Sequence, residues 1–220
     1  MILRLSGALE VPLRDCNAWL TAAGFAAVFR ALALDDPQMA QVTSAVRMVL
    51  KAHEPFPAVA LDRACNVWMS NTPFDLLGAM LGEDIWTRVG GDQRNLMRLF
   101  FHPAGIRPYV THWSAVGPLM WRRAQREAEA VGGVEMKAVL DDLAPLQEPD
   151  LLWSAADPAL VPVMTFNMQV NGLRISMFAV VATFGTAQDV TADELRIETL
   201  LPADVETETL FRDPAAGKTP

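Results

Sequence analysis

A chain of 220 residues, 51% hydrophobic and 20% charged, is long enough for one sizeable core and too apolar to stay disordered. Its net charge of −8 and pI near 4.9 disfavour a protein that grips nucleic acid by itself, because phosphate neutralisation needs a basic face. The longest apolar runs, such as Met177-Phe-Ala-Val-Val-Ala182, fall far short of the ~20 residues of a membrane-spanning helix. Arg4 and Glu10 interrupt any signal-peptide core, so a cytoplasmic protein with no membrane partner is expected.

Ile2, Leu3, Leu5 and Leu9 carry a first helical stripe, and Val11-Pro12 restarts the chain into a second helix over residues 13–23, ended by Gly24. Asp35-Asp36-Pro37 offers a capping carboxylate and an N1 proline to a third helix, which should end near His53, before Pro55. The period then changes. Residues 57–62 and 66–70 read as short strands joined by Arg63-Ala64-Cys65, an antiparallel hairpin. Asn71-Thr-Pro73 caps a helix running to Met80, and residues 93–130 read as helical, broken by the turn 102–105 and by Gly117-Pro118. A helix over 135–143 precedes a stretch containing Pro145, Pro149 and Pro158. Asn171-Gly172 is a strong hairpin signal between strands 161–170 and 173–184, since both turn positions must accept positive φ. A last strand over 195–200 leads through Pro202-Ala-Asp204 into a short helix, and the tail from Asp213 is expected to be disordered. Five antiparallel strands, with helices concentrated between the second and third, describe an α+β, PAS-like sheet covered on one face by a helical insert and preceded by N-terminal helices.

The sequence contains no Gly-x-Ser-x-Gly, Gly-x-Gly-x-x-Gly, P-loop or His-Glu-x-x-His motif, so neither an enzyme nor a resident cofactor is expected. His53, His102 and His112 match no ligand spacing, and Cys16 and Cys65 stand in no Cys-x-x-Cys pattern. No metal site follows. Buried, reduced thiols are expected, and His53 reads as a partner for its helix C-terminus. One segment suggests a pocket: Leu96, Met97, Phe100 and Phe101 offer an apolar wall beside Arg94, Asn95 and Arg98. It is also the pattern of an ordinary amphipathic helix. Arg98, one turn from Asn95 and His102, is the residue suited to orient a carboxylate. Trp113 would join this wall, and Trp68 and Phe178 would reach it from the strands. The candidate ligand site is therefore Trp68, Asn95, Met97, Arg98, Phe100, His102, Trp113 and Phe178.

Several stretches resemble the MmyB-like transcription regulators, in which an XRE-type helix-turn-helix domain precedes a PAS-like ligand-binding domain. They are Leu3-Arg-Leu-Ser-Gly-Ala-Leu-Glu-Val-Pro-Leu-Arg-Asp-Cys-Asn-Ala-Trp-Leu-Thr-Ala-Ala-Gly-Phe25, His53-Glu-Pro-Phe-Pro-Ala-Val-Ala-Leu-Asp-Arg63 and Asn95-Leu-Met-Arg-Leu-Phe-Phe-His-Pro-Ala-Gly-Ile-Arg-Pro108. The most specific is Thr183-Phe-Gly-Thr-Ala-Gln-Asp-Val-Thr-Ala-Asp-Glu-Leu-Arg-Ile-Glu-Thr199, followed by Leu-Leu-Pro-Ala-Asp204. The resemblance implies that residues 1–30 are the closing helices of a helix-turn-helix domain, 31–54 a connecting helix, 55–212 the ligand-binding domain and 213–220 a disordered tail. The recognition helix would precede residue 1, so DNA would be reached only through that missing part. A ligand-binding sensor of a bacterial regulator is implied, taking a small hydrophobic or amphipathic, fatty-acid-like molecule and acting as a homodimer. The alternative is a PAS-like dimerisation or interaction module with no physiological small ligand.

Overall fold

The computed structural model describes residues 1–130, 134–148, 151 and 163–213. Two short helices open the chain, α1 (Ile2–Ala8) and α2 (Leu13–Ala22). Gly24, at φ +83°, lets the chain close α2 with two reverse bonds, Phe25 N–H to Leu20 O at 2.9 Å and Gly24 N–H to Thr21 O at 3.0 Å. Asp36 caps a 3-10 turn (Pro37–Met39) by accepting from Gln38 N at 2.8 Å, and α3 (Ala40–Ala52) continues from it. It ends at His53, whose Nδ1 donates to Val49 O at 2.9 Å.

The sheet comprises β1 (Ala58–Leu61), β2 (Val67–Ser70), β3 (Phe166–Val170), β4 (Leu173–Ala182) and β5 (Arg196–Pro202). Its order is β2-β1-β5-β4-β3 with every neighbour antiparallel, the PAS arrangement expected. The β1–β2 link is an Asx turn: Asp62 accepts from Ala64 N, Asn66 N and Asn66 Nδ2 at 2.8–2.9 Å. The hairpin at Asn171-Gly172 also forms as expected, with both residues at positive φ. The start of the third expected strand, residues 161 and 162, lies outside the described residues, as do Pro149, Pro158 and the tail 214–220.

The insert contains α4 (Thr72–Met80), α5 (Ile85–Arg88), α6 (Leu96–Phe101), α7 (Trp113–Ala130) and α8 (Val134–Leu143). After β4 come α9 (Val190–Glu194), β5 and α10 (Val205–Arg212). Neither α5 nor α9 was expected; each is a single short turn that leaves no periodic stripe. The expected break at Gly117-Pro118 is absent, and α7 runs through it. Gly117 admits the Trp113 indole, since a Cβ there would sit 2.8 Å from Trp113 Cε2, and both Trp121 and Ala124 bury one turn later. Packing of that face carries the helix past a residue that cannot donate its backbone bond.

The sheet is covered on both faces at β1, not on one. Val59 and Leu61 enter the insert core with Phe74, Phe100, Trp121 and Met177, whereas Ala58 and Ala60 meet Val46 and Leu50 of α3 and Ile197 of β5. Alternation along a fully buried strand thus feeds two cores, one on each face of the sheet. The second cover is partial: Val180, on the α3 side of β4, remains 46% exposed.

Candidate functional site

Of the eight expected site residues, Asn95, Met97, Arg98, Phe100, His102 and Trp113 lie together on α6, the following turn and the start of α7. Trp68 and Phe178 do not join them. Trp68 packs on the α3 side with Met39, Leu195 and their neighbours, and β4 alternation turns Phe178 away from the insert, since Ile175 and Met177 point into it. Period-2 reasoning identifies which residues share a face, but not which face the insert covers.

The six that converge are largely committed within the chain. Asn95, 2% exposed, caps α6 by accepting from Arg98 N at 3.1 Å and donates to Ala64 O and Asn66 Oδ1 at 2.8 and 2.9 Å. It fixes the β1–β2 link to the insert. The Arg98 guanidinium binds the Asp142 carboxylate of α8, so the partner expected from a ligand is supplied by the protein. His102 accepts from Ala104 N at 3.1 Å, and burial, with Arg98 and Arg107 nearby, holds its pKa below the usual imidazole value. A neutral ring completing a turn is the result. Phe100 meets Phe101, Trp113 and Phe166 at 4.9, 5.4 and 5.5 Å between centroids, and Phe101 meets Trp121 edge-on at 5.1 Å. Trp113 also donates Nε1 to Glu148 at 2.8 Å, and Arg107 pairs with that carboxylate while lying over the indole. These rings fill the space between sheet and insert where a ligand was expected.

An open apolar cleft of 510 Å³ lies instead between α4 and α10. Leu76, Leu77, Met80, Leu173, Leu210 and Phe211 line it, with Pro55 and Pro73 at one end. Its floor is continuous with the main core, since Leu77 belongs to that core and Met80, Leu210 and Phe211 pack on it. Glu54 and Thr72 line this cleft and also a neighbouring one of 380 Å³ that includes Arg47 and Lys51 of α3. Apolar walls thus lead into a mixed groove that holds Arg47, Lys51 and Glu54. Sequence reasoning missed this site because its walls come from helices far apart in the chain. The available signal was Leu76, which α4 leaves 61% exposed.

Other chemistry-bearing groups are dispersed. Cys16 and Cys65 are separate and buried, and burial pushes the Cys65 thiol up. On the insert side of β5, burial also raises the Glu198 carboxyl, while hydrogen bonds from Arg196 and Arg123 overcome burial at Glu127 and hold it low. Among the described residues no group of three His, Cys, Asp or Glu side chains is placed to hold a metal ion, and no helix is long and apolar enough to cross a membrane.

No curated protein matches the chain. Residues 42–213 match the family model described as the MmyB-like transcription regulator ligand binding domain, a span that takes in most of α3, the whole sheet, the insert and α10. With most of its length and every strand inside that match, the chain belongs to the MmyB-like transcription regulator ligand-binding domain family.

Proposed function

We propose that the chain is the sensor part of a cytoplasmic bacterial transcription regulator, acting by binding and not by catalysis. A small amphipathic molecule occupies the α4–α10 cleft and modulates DNA binding by the helix-turn-helix domain of the full-length, homodimeric protein. Residues 1–30 would close that domain, residues 31–54 connect it, and residues 55–212 hold the ligand. The observation that carries this reading is the apolar cleft itself: 510 Å³ falls within the roughly 300–1,000 Å³ of small-molecule sites, and its floor is the protein core. Arg47 and Lys51 outnumber Glu54 along that groove and favour an anionic end, which makes a fatty-acid-like molecule a suitable class.

Titration calorimetry with dodecanoate tests the site. Binding is expected in the unaltered protein, with at least a tenfold loss in Leu76→Glu, a surface change on the cleft wall that places a charge where the alkyl chain would lie. Arg98→Gln, away from the cleft, should leave affinity unchanged. Equal binding by the unaltered protein and Leu76→Glu would remove the cleft from consideration.

A dimerisation module without a small ligand is the second reading, favoured by the last residues of β4, where Val180 and Val181 are 46% and 39% exposed. Sedimentation of Val181→Lys decides it: a dimer lost in that variant, with no dodecanoate bound by either protein, would support this reading.

A further inference from the structure

The α1–α2 hairpin is tied to the sensor at the entrance of β5. Leu13 N donates to Asp193 at 3.0 Å, and Arg14 grips Glu194 through two bonds, Nε at 2.5 Å and Nη2 at 2.8 Å. Glu194 is only 10% exposed, and its Oε1, already holding Arg14, also receives Arg63 Nη1 at 3.4 Å. Arg63 belongs to the β1–β2 turn, is 14% exposed, and reaches Glu135 of α8 at 2.6 Å. Four side chains of alternating sign therefore run from the hairpin, through β5's entrance and the β-turn, to the insert. A cleft of 350 Å³ lined by Glu10, Pro12, Met136 and Arg196 opens beside them, so apolar packing does not fill the seam there.

We propose that the chain Arg14–Glu194–Arg63–Glu135 is a relay that sets how firmly the N-terminal hairpin is held according to the position of α8. Two guanidinium groups meet at one carboxylate and repel each other across it, so a stronger hold by one weakens that of the other. Glu135 draws the charge of Arg63 outward and leaves Glu194 to Arg14. When α8 shifts and Glu135 withdraws, Arg63 is drawn more strongly to Glu194, the hold on Arg14 weakens, and the hairpin loosens. Such a shift would be felt from the core, because Met136, Leu140 and Leu143 on the same helix are buried in it. This gives the sensor reading a route to the helices that adjoin the DNA-binding part. Because the relay operates through α8 itself, its test needs no ligand and fails separately from that reading.

Hydrogen–deuterium exchange of the full chain reads the relay directly. Glu135→Gln does not touch α2, yet it is expected to raise exchange over residues 13–22 by about 1.5- to 5-fold at low salt, the range of a partly exposed ion pair. Asp141→Asn, on the same helix but paired with Lys137, is expected to leave those residues unchanged. In an Arg63→Met background Glu135→Gln should add nothing, and about 1 M salt should erase its effect. Unchanged exchange over 13–22 in Glu135→Gln, an equal rise in Asp141→Asn, or a rise that persists without Arg63 would overturn the proposal. The Glu135 and Asp141 comparison decides it even where Arg63→Met fails to fold.

Discussion

Asn71 ties three elements of the fold together through one side chain. At 5% exposure, its Oδ1 accepts from Phe74 N at 3.1 Å and from Ala58 N at 2.9 Å, and its Nδ2 donates to Leu50 O and Phe56 O at 3.2 and 2.8 Å. One amide caps α4, starts β1 and closes the end of α3. Removing it leaves several buried backbone groups without partners, each costing about 1–3 kcal/mol in part offset by relaxation. Asn71→Ala is expected to lower stability by about 2–4 kcal/mol, measured by urea unfolding, whereas Ser70→Ala beside it, on an exposed hydroxyl bound to Asp75, should change it by less than about 0.5 kcal/mol. The capping role of Asn71 was readable from Asn71-Thr-Pro73, but its other three bonds are tertiary and leave no local mark.

At the scale of elements, turns and caps were the most legible features. The Asn171-Gly172 hairpin, the Asp36 cap and the Gly24 stop each depend on a residue and its near neighbours, and each forms. The faces of the sheet were not legible, because alternation is symmetric: it pairs Trp68 with Ser70 and Phe178 with Val180 without stating what covers them. The committed state of Arg98 was likewise hidden, since Asp142 is far along the chain and meets it only through helix packing. The cover supplied by α3 is measurable. Val46 is fully buried against Ala58 and Ala60, so Val46→Ala should cost about 2–3 kcal/mol, while Val180→Ala, on the uncovered end of the same face, should change stability by less than about 0.5 kcal/mol. Equal losses would mean that α3 is not seated on the sheet.

Across the whole molecule, an acidic chain holds two carboxylates of opposite behaviour, Glu198 on β5 and Glu127 on α7, which pairs with Arg196 of that strand. Burial raises the Glu198 carboxyl, so the folded state retains its proton more tightly than the unfolded chain, and its favourable contribution fades as pH rises above the unfolded value. Glu127, held low by Arg196 and Arg123, contributes above its unfolded value and loses that contribution as pH falls. Glu198→Gln is therefore expected to stabilise the protein more at pH 8 than at pH 4, by thermal unfolding at both. A gain of equal size at both values, or a loss at pH 8, would contradict the desolvation argument.

The sizes of the side chains along β1 carry one more consequence. Its residues alternate small and large, with Ala58 and Ala60 towards α3 and Val59 and Leu61 towards the insert. A slip of one residue against β5 would drive Val59 and Leu61 beneath α3, where only single methyl groups fit, and leave methyl-sized gaps beneath the insert. Overpacking and cavity would arise together, one in each core. Mispaired chains are thereby penalised on both sides at once, and a strand of only four residues finds its correct partner alignment during folding without a longer ladder to guide it.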